Sequence, residues 1–178
     1  MNTRRGRQVR AAGLVAVVVA ALAATAWGTA AMGATRHAAT IRLRATLDAS
    51  QVPGGQEVAV PNATGLFTAT LTGNKLAWTL TYQGLSGSAL GAHIHIAKPG
   101  ASHWEPVIGL CGFLGDPGQP ATCKSGVHGT ATIHAGTLYR ITAASVRKAI
   151  LDGGAYVNIH TVKNYNWGEI RGQIEVVK

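Results

Sequence analysis

Three short stretches carry the side chains able to do chemistry. Gly91-Ala92-His93-Ile94-His95-Ile96 holds two imidazoles two positions apart, and Ala155-Tyr156-Val157-Asn158-Ile159-His160-Thr161 holds an amide and a third imidazole. Gly168-Glu169-Ile170-Arg171-Gly172-Gln173-Ile174 adds a carboxylate, a guanidinium and a second amide. On an extended strand successive side chains point to opposite faces, so His93 and His95 share one face. If the strand of His160 lies alongside, three imidazoles can reach one ion, and Zn²⁺ or Cu²⁺ suits such donors. The same residues also suit a hydrogen-bonded polar face that pins strand pairing. In that reading Glu169 and Arg171, about 7 Å apart along one face, each find a partner across the ladder, together with Asn158 and Gln173. Polar ladders are common and a metal site needs its ligands to converge, so the polar face is the expectation and the metal site the alternative.

Catalysis finds little support. The seven acidic residues are spread singly and form no carboxylate pair, and no Gly-x-Ser-x-Gly elbow occurs. The glycines follow turns rather than a phosphate-cradling loop. No enzyme is expected. Trp104 and Trp167, with Tyr139 and Tyr165, are candidates to line a groove for a carbohydrate or protein partner, because an indole in a loop often marks a contact. The competing use is a loop tucked onto the core.

The elements that must position these groups are read from periodicity. Ile41, Leu43, Ala45 and Leu47 alternate with polar residues, then Phe67, Ala69 and Leu71 with threonines. Gly73-Asn74 turns the chain into Leu76, Trp78, Leu80 and Tyr82, so a hairpin is predicted. Further strands are predicted over 92–96, 106–110, 127–134, 155–161 and 169–177. A helix is predicted over 141–151, capped by Thr142 and ended by Gly153-Gly154. These eight short strands and one short helix describe an all-β antiparallel sandwich with Greek-key links. Parity puts His93 and His95 opposite Ile94 and Ile96, His160 opposite Val157 and Ile159, and His128 and His134 opposite Ala131 and Ile133. A one-residue slip would bury the histidines and expose the isoleucines. All five are therefore expected on an outer or edge face, not in the core. A His-x-His on a β-sandwich is also similar to copper–zinc superoxide dismutase, whose remaining ligands and metal-binding loop find no counterpart here, so a dismutase-type enzyme ranks third.

The first 34 residues read as an export signal. Arg4, Arg5, Arg7 and Arg10 precede an uncharged apolar run over 11–26 and small-residue exits near Ala24-Thr25-Ala26 and Gly33-Ala34. The rival is an uncleaved anchor, but Ala and Gly dominate the second half of the run, which weakens insertion. The expectation is a secreted or extracytoplasmic protein, held at the cell surface only if the segment stays. Residues 35–178 form one domain and keep twelve bases against seven acids, a net charge of +5. Those bases are scattered without interleaved aromatics, so no nucleic-acid partner is indicated. Cys111 and Cys123, twelve apart in a Gly/Pro-rich stretch of an exported chain, read as a disulfide.

Taken together, Leu47-Asp48-Ala49-Ser50-Gln51-Val52, Gln56-Glu57-Val58, Thr64-Gly65-Leu66-Phe67, Ala92-His93-Ile94-His95, Tyr156-Val157-Asn158-Ile159-His160-Thr161 and Gly168-Glu169-Ile170-Arg171-Gly172-Gln173 resemble the CHRD domain, the module named after chordin. The resemblance runs over 41–177. It implies an exported β-sandwich with no established enzymatic activity, found also as a single-domain microbial protein; in chordin it accompanies modules that bind growth factors. The chain departs from the pattern at 98–105, where Lys-Pro-Gly-Ala-Ser-His-Trp-Glu replaces a Gly-rich turn. It departs again at the loop between Cys111 and Cys123, which is an insertion.

Overall fold

A computed structural model describes residues 38–102, 106–134 and 141–178. The proposed signal or anchor over 1–34, and the aromatics Trp104 and Tyr139, lie outside the described residues. Nine antiparallel strands form one nearly closed sheet. In chain order they are β1 (Thr40–Asp48), β2 (Thr64–Thr72), β3 (Lys75–Gln83), β4 (Ala89–Ile96), β5 (Pro106–Gly112), β6 (Val127–Thr132), β7 (Ala155–Thr161), β8 (Ile170–Gln173) and β9 (Glu175–Val176). A 3₁₀ turn, Ala49–Gln51, follows β1, and one helix, α1 (Ala143–Leu151), precedes β7. The spatial order is β5-β4-β7-β8-β1-β2-β3-β6, with β9 paired to β1. Among the described residues no helix is long and apolar enough to cross a membrane.

The alternating segments become strands for the reason their pattern suggests. Leu43, Leu47, Phe67, Leu71, Leu76 and Leu80 are all buried, while Thr68, Thr70, Thr79 and Thr81 between them are exposed. Burying each such aliphatic stabilises the fold by about 1.5–3 kcal/mol before entropy is counted. The hairpin of β2 and β3 turns at Gly73, whose φ of +57° suits glycine. The Thr142 side chain accepts a hydrogen bond from the Ser145 N–H, which caps α1, and Val146 and Ile150 turn into the core. Asp152 and then Gly153, at φ +69°, end the helix.

The last predicted strand, 169–177, is two strands. Its chain changes partner at Ile174: Gln173 and Gly172 pair with β7, and Val176 and Glu175 pair with β1. A period-two pattern cannot show such a change, because the inward residues stay inward. The described ends of the sheet, β5 and β6, are joined by the 113–126 loop. Cys111 and Cys123 form a disulfide there, Gly112 N–H donates to the Pro120 carbonyl at 2.9 Å, and Gln119 Nε2 donates to the Thr130 carbonyl at 2.6 Å. Gln119 thereby occupies a carbonyl that the edge strand β6 would otherwise leave unpaired.

Candidate metal centre

Strands β4, β7 and β8 lie side by side and carry the chemically active side chains on one face. Their register places Gly91 opposite His160, His93 opposite Asn158, and His95 opposite Tyr156. Across the next ladder Asn158 faces Arg171 and Tyr156 faces Gln173. Directly opposed side chains in an antiparallel pair point the same way, so the rows form a polar lattice three strands wide. His93, His95 and His160 converge on it, with one nitrogen from each within 4.8 Å of the other two. Ring centroids are 5.9 Å apart for His93 and His95, and 5.3 Å for His93 and His160.

One expectation is corrected. The histidines do lie opposite the aliphatics, but His93 and His95 are not outer-face residues in contact with solvent: His93 is 2 % exposed, His95 3 %, and Asn158 3 %, while His160 is partly buried. Loops cover this face. Arg171 donates to the carbonyls of Ala101 and Lys98, Gln173 Nε2 donates to those of Ala97 and Gly153, and Phe113 and Tyr165 bring their carbonyls onto the histidines. Alternation tells which face meets the hydrocarbon core. It carries no information on whether later loops roof the other face. His128 and His134, where no loop closes over, are exposed as expected.

The carbonyl contacts fix the protonation of two rings. His93 Nε2 lies 2.5 Å from the Phe113 carbonyl and His160 Nδ1 lies 2.6 Å from the Tyr165 carbonyl. A carbonyl only accepts, so each of those nitrogens carries the proton, and His93 Nδ1 and His160 Nε2 hold lone pairs. Burial lowers the His93 pKa to about 4, against an opposing contribution from the Phe113 carbonyl, and burial likewise lowers that of His160. Both are neutral imidazoles at pH 7, the form that binds metal. A ring whose second nitrogen donates to a carbonyl is the arrangement that orients metal-bound histidines.

Gly91 makes the first of these contacts feasible. A Cβ there would stand 2.6 Å from the Phe113 oxygen and 3.2 Å from the His93 ring. Phe113 itself is held between Gly112, at φ +67°, and Leu114, a non-glycine residue at φ +56°. Such a left-handed residue costs energy and persists only where its surroundings impose it. Here the neighbouring disulfide and the Phe113 N–H bond to the Leu90 carbonyl, at 2.7 Å, impose it.

Beyond the rings, Arg171 lies 3.5 Å from the Tyr156 ring centroid, and Tyr156 stacks on His95 at 5.0 Å and 7°. Burial lowers the Arg171 pKa, with the Tyr156 contact opposing. A cavity of about 30 Å³ reaches between His95, His160, Tyr156, Asn158, Arg171 and Trp167. The Asn158 amide donates to His160 Nε2 at 2.7 Å, and its own Oδ1 is buried with no hydrogen-bond partner. A buried acceptor left without a donor costs about 1–3 kcal/mol, so this atom asks for a species that the chain does not supply. Three imidazoles and this orphaned acceptor fit a metal ion carrying a water. Tetrahedral Zn–N bonds of about 2.0–2.1 Å put ligand nitrogens about 3.3 Å apart, so the rings must close by roughly 1 Å each.

The remaining predicted site residues separate. Glu169 does not join Arg171. It lies just before β8, fully buried, and its carboxylate accepts from Ser86 N–H, Ser86 Oγ, Thr161 Oγ1 and Asn164 Nδ2. Burial raises its pKa, and these hydrogen bonds outweigh burial and hold it below the ordinary glutamate value. Trp167 is half exposed at the cavity rim. The sequence reading missed the roles of Gly91, Phe113 and Tyr156, and took Tyr165 as a groove aromatic rather than for its backbone carbonyl. Only Gly91 left a signal, as a glycine interrupting a strand beside a His-x-His.

A family model described as the CHRD domain matches residues 43–174. No curated protein and no solved structure matches the chain.

Proposed function

The chain belongs to the CHRD domain family, and from that premise we propose that it is an exported, non-catalytic binding module whose ligand is a copper or zinc ion held by His93, His95 and His160. The convergence of three imidazoles within 4.8 Å, two of them buried and the third partly buried, carries this reading. From sequence alone a polar face was the better expectation, because nothing guaranteed that His160 would lie across from the His-x-His. With β7 beside β4, and with Phe113 and Tyr165 orienting two of the rings, the metal site becomes the reading that accounts for more of the lattice.

Metal analysis of protein purified without an affinity tag, combined with thermal unfolding, tests it. An ion that binds only the folded state adds about 2.7 kcal/mol at a free concentration of 100 Kd. For a domain of this size that is a rise in Tm of roughly 10 °C. Cu²⁺ or Zn²⁺ should give the rise, and His95→Ala should abolish it. No rise with either ion rejects the reading.

A further inference from the structure

We propose that the ion held by the three histidines keeps a fourth position open in the adjoining cavity, and that this position binds a small anion of one to three heavy atoms beside Arg171. The inference rests on the metal reading above, and three observations of the chain's own residues carry it beyond that reading.

The first is charge. Imidazole ligands bring no negative charge, so an ion at this site would stay doubly positive, with the Arg171 guanidinium at the same cavity and only 2 % exposed. Arg171 forms no ion pair among the described residues. Among the described residues, the nearby carboxylates already hold donors of their own. Asp48, opposite Arg171 in β1, accepts from Ser50 Oγ and Gln51; Glu57 accepts from the Asn166 N–H at 3.1 Å; Glu169 holds its own four donors. Glu57 acts on His160 from an exposed position, but among the described residues no carboxylate is buried against these two positive charges; burying them without one is costly, and an anion in the cavity removes that cost.

The second is donor capacity. A guanidinium has five N–H groups, and Arg171 uses three, toward the Ala101 and Lys98 carbonyls and Gln173 Oε1. Two remain to meet a ligand. The Tyr156 ring beneath fixes the plane of the guanidinium. Asn158 Oδ1, buried and without a partner, faces the opposite need and would accept from a bound water or hydroxide. The resting ligand is thus a solvent molecule, exchangeable for another small anion.

The third is size. The cavity of about 30 Å³ admits one or two water-sized groups and excludes organic acids. Hydroxide, azide and cyanide belong to this size class, and of these hydroxide alone also donates to Asn158 Oδ1.

Azide titration of the copper-loaded full-length chain separates this inference from the one beneath it. Copper stoichiometry and nitrogen hyperfine splitting in the Cu²⁺ resonance spectrum report the three-histidine site by themselves. Azide should then produce a saturable azide-to-copper charge-transfer band. Arg171→Gln should weaken azide by about tenfold or more while copper stoichiometry holds. Should that variant fail to fold, Arg171→Lys, which keeps the charge and loses the planar fork, should weaken azide by a smaller factor. Copper bound with wild-type spectra unmoved by azide overturns the open position. Equal azide affinity in wild type and the Arg171 variants overturns the role of the guanidinium. No bound copper removes the metal reading itself.

Discussion

Replacing Glu169 by Gln should destabilise the domain by about 3–5 kcal/mol at pH 7. All four donors named above converge on this one carboxylate: Ser86 N–H on Oε1, and Ser86 Oγ, Thr161 Oγ1 and Asn164 Nδ2 on Oε2. An amide cannot accept on both arms. With its oxygen toward the Oε2 side, its NH₂ meets the Ser86 N–H; with the amide reversed, the NH₂ meets Asn164 Nδ2. Either way at least one buried donor faces another donor, at about 1–3 kcal/mol, and the charge assistance of the remaining bonds is lost as well. Against a usual total of about 5–15 kcal/mol, this is a large fraction. The effect should depend on pH. The folded-state pKa lies below the unfolded value of about 4.3, so the carboxylate contributes fully above that value, and the contribution disappears as pH falls through the folded pKa. Urea unfolding followed by tryptophan fluorescence at pH 7, 5 and 3.5 should therefore show the gap between wild type and Glu169→Gln closing toward acid. A gap under 1 kcal/mol at pH 7, or one that does not change with pH, would refute the reasoning. The same knot ties Asn164, next to the Tyr165 carbonyl that orients His160, so metal affinity should fall along with stability.

Other changes reach the site by separate routes. Gly91→Ala should push the Phe113 carbonyl off His93, costing about 1–3 kcal/mol and weakening metal binding, as read by urea unfolding and by metal titration; unchanged affinity would show that this carbonyl does not orient the ring. Removing the disulfide with Cys111→Ala and Cys123→Ala should cost about 3 kcal/mol from the closed loop and should also lower metal affinity, because the loop carries Phe113. Stability lost with affinity intact would separate the disulfide from the centre. Thr142→Ala, far along the chain at the cap of α1, should cost about 1 kcal/mol and leave metal affinity unchanged.

Much of the scaffold was legible because each strand buries one face. The apolar sets at Leu43 to Leu47, Phe67 to Leu71 and Leu76 to Leu80 fixed strands, faces and the hairpin before any coordinates were needed. The helix announced itself through Thr142 and Gly153, two residues whose local chemistry is not shared with strands. Less of the site could be read. Parity set His93 and His95 on a common face, but whether His160 joined them depended on β7 lying beside β4, a long-range pairing that no local pattern encodes. The orienting groups are backbone carbonyls, at Phe113 and Tyr165, and every residue has one, so side-chain identity could not mark them. Glu169 misled for the opposite reason. Its spacing from Arg171 suited a ladder pair, yet strand geometry begins only at Ile170, and the carboxylate turns to Ser86 instead.

The roof over the polar face is what separates a pinned ladder from a binding site. A solvated lattice of His, Asn and Arg would satisfy its groups with water and would leave the imidazoles titrating near their ordinary value. Covering it with residues 97–102, the Phe113 turn and the 164–168 loop removes that water, which favours neutral rings and makes each unsatisfied atom expensive. Most groups then find a protein partner, and Asn158 Oδ1 without a donor, Arg171 without an ion pair among the described residues, and three converging imidazoles lie close together. If the face serves only to register the strands, replacing it by apolar residues of like volume should be neutral or stabilising. Two of the three loops lie at or within the stretches read from the sequence as departures from the CHRD pattern, 98–105 and the Cys111–Cys123 insertion. Grafting a Gly-rich turn in place of 98–105 should therefore expose Arg171 while leaving β4, β7 and β8 paired; loss of azide affinity with retained copper would place the anion's dependence in that roof, and unchanged azide affinity would remove the roof from the account.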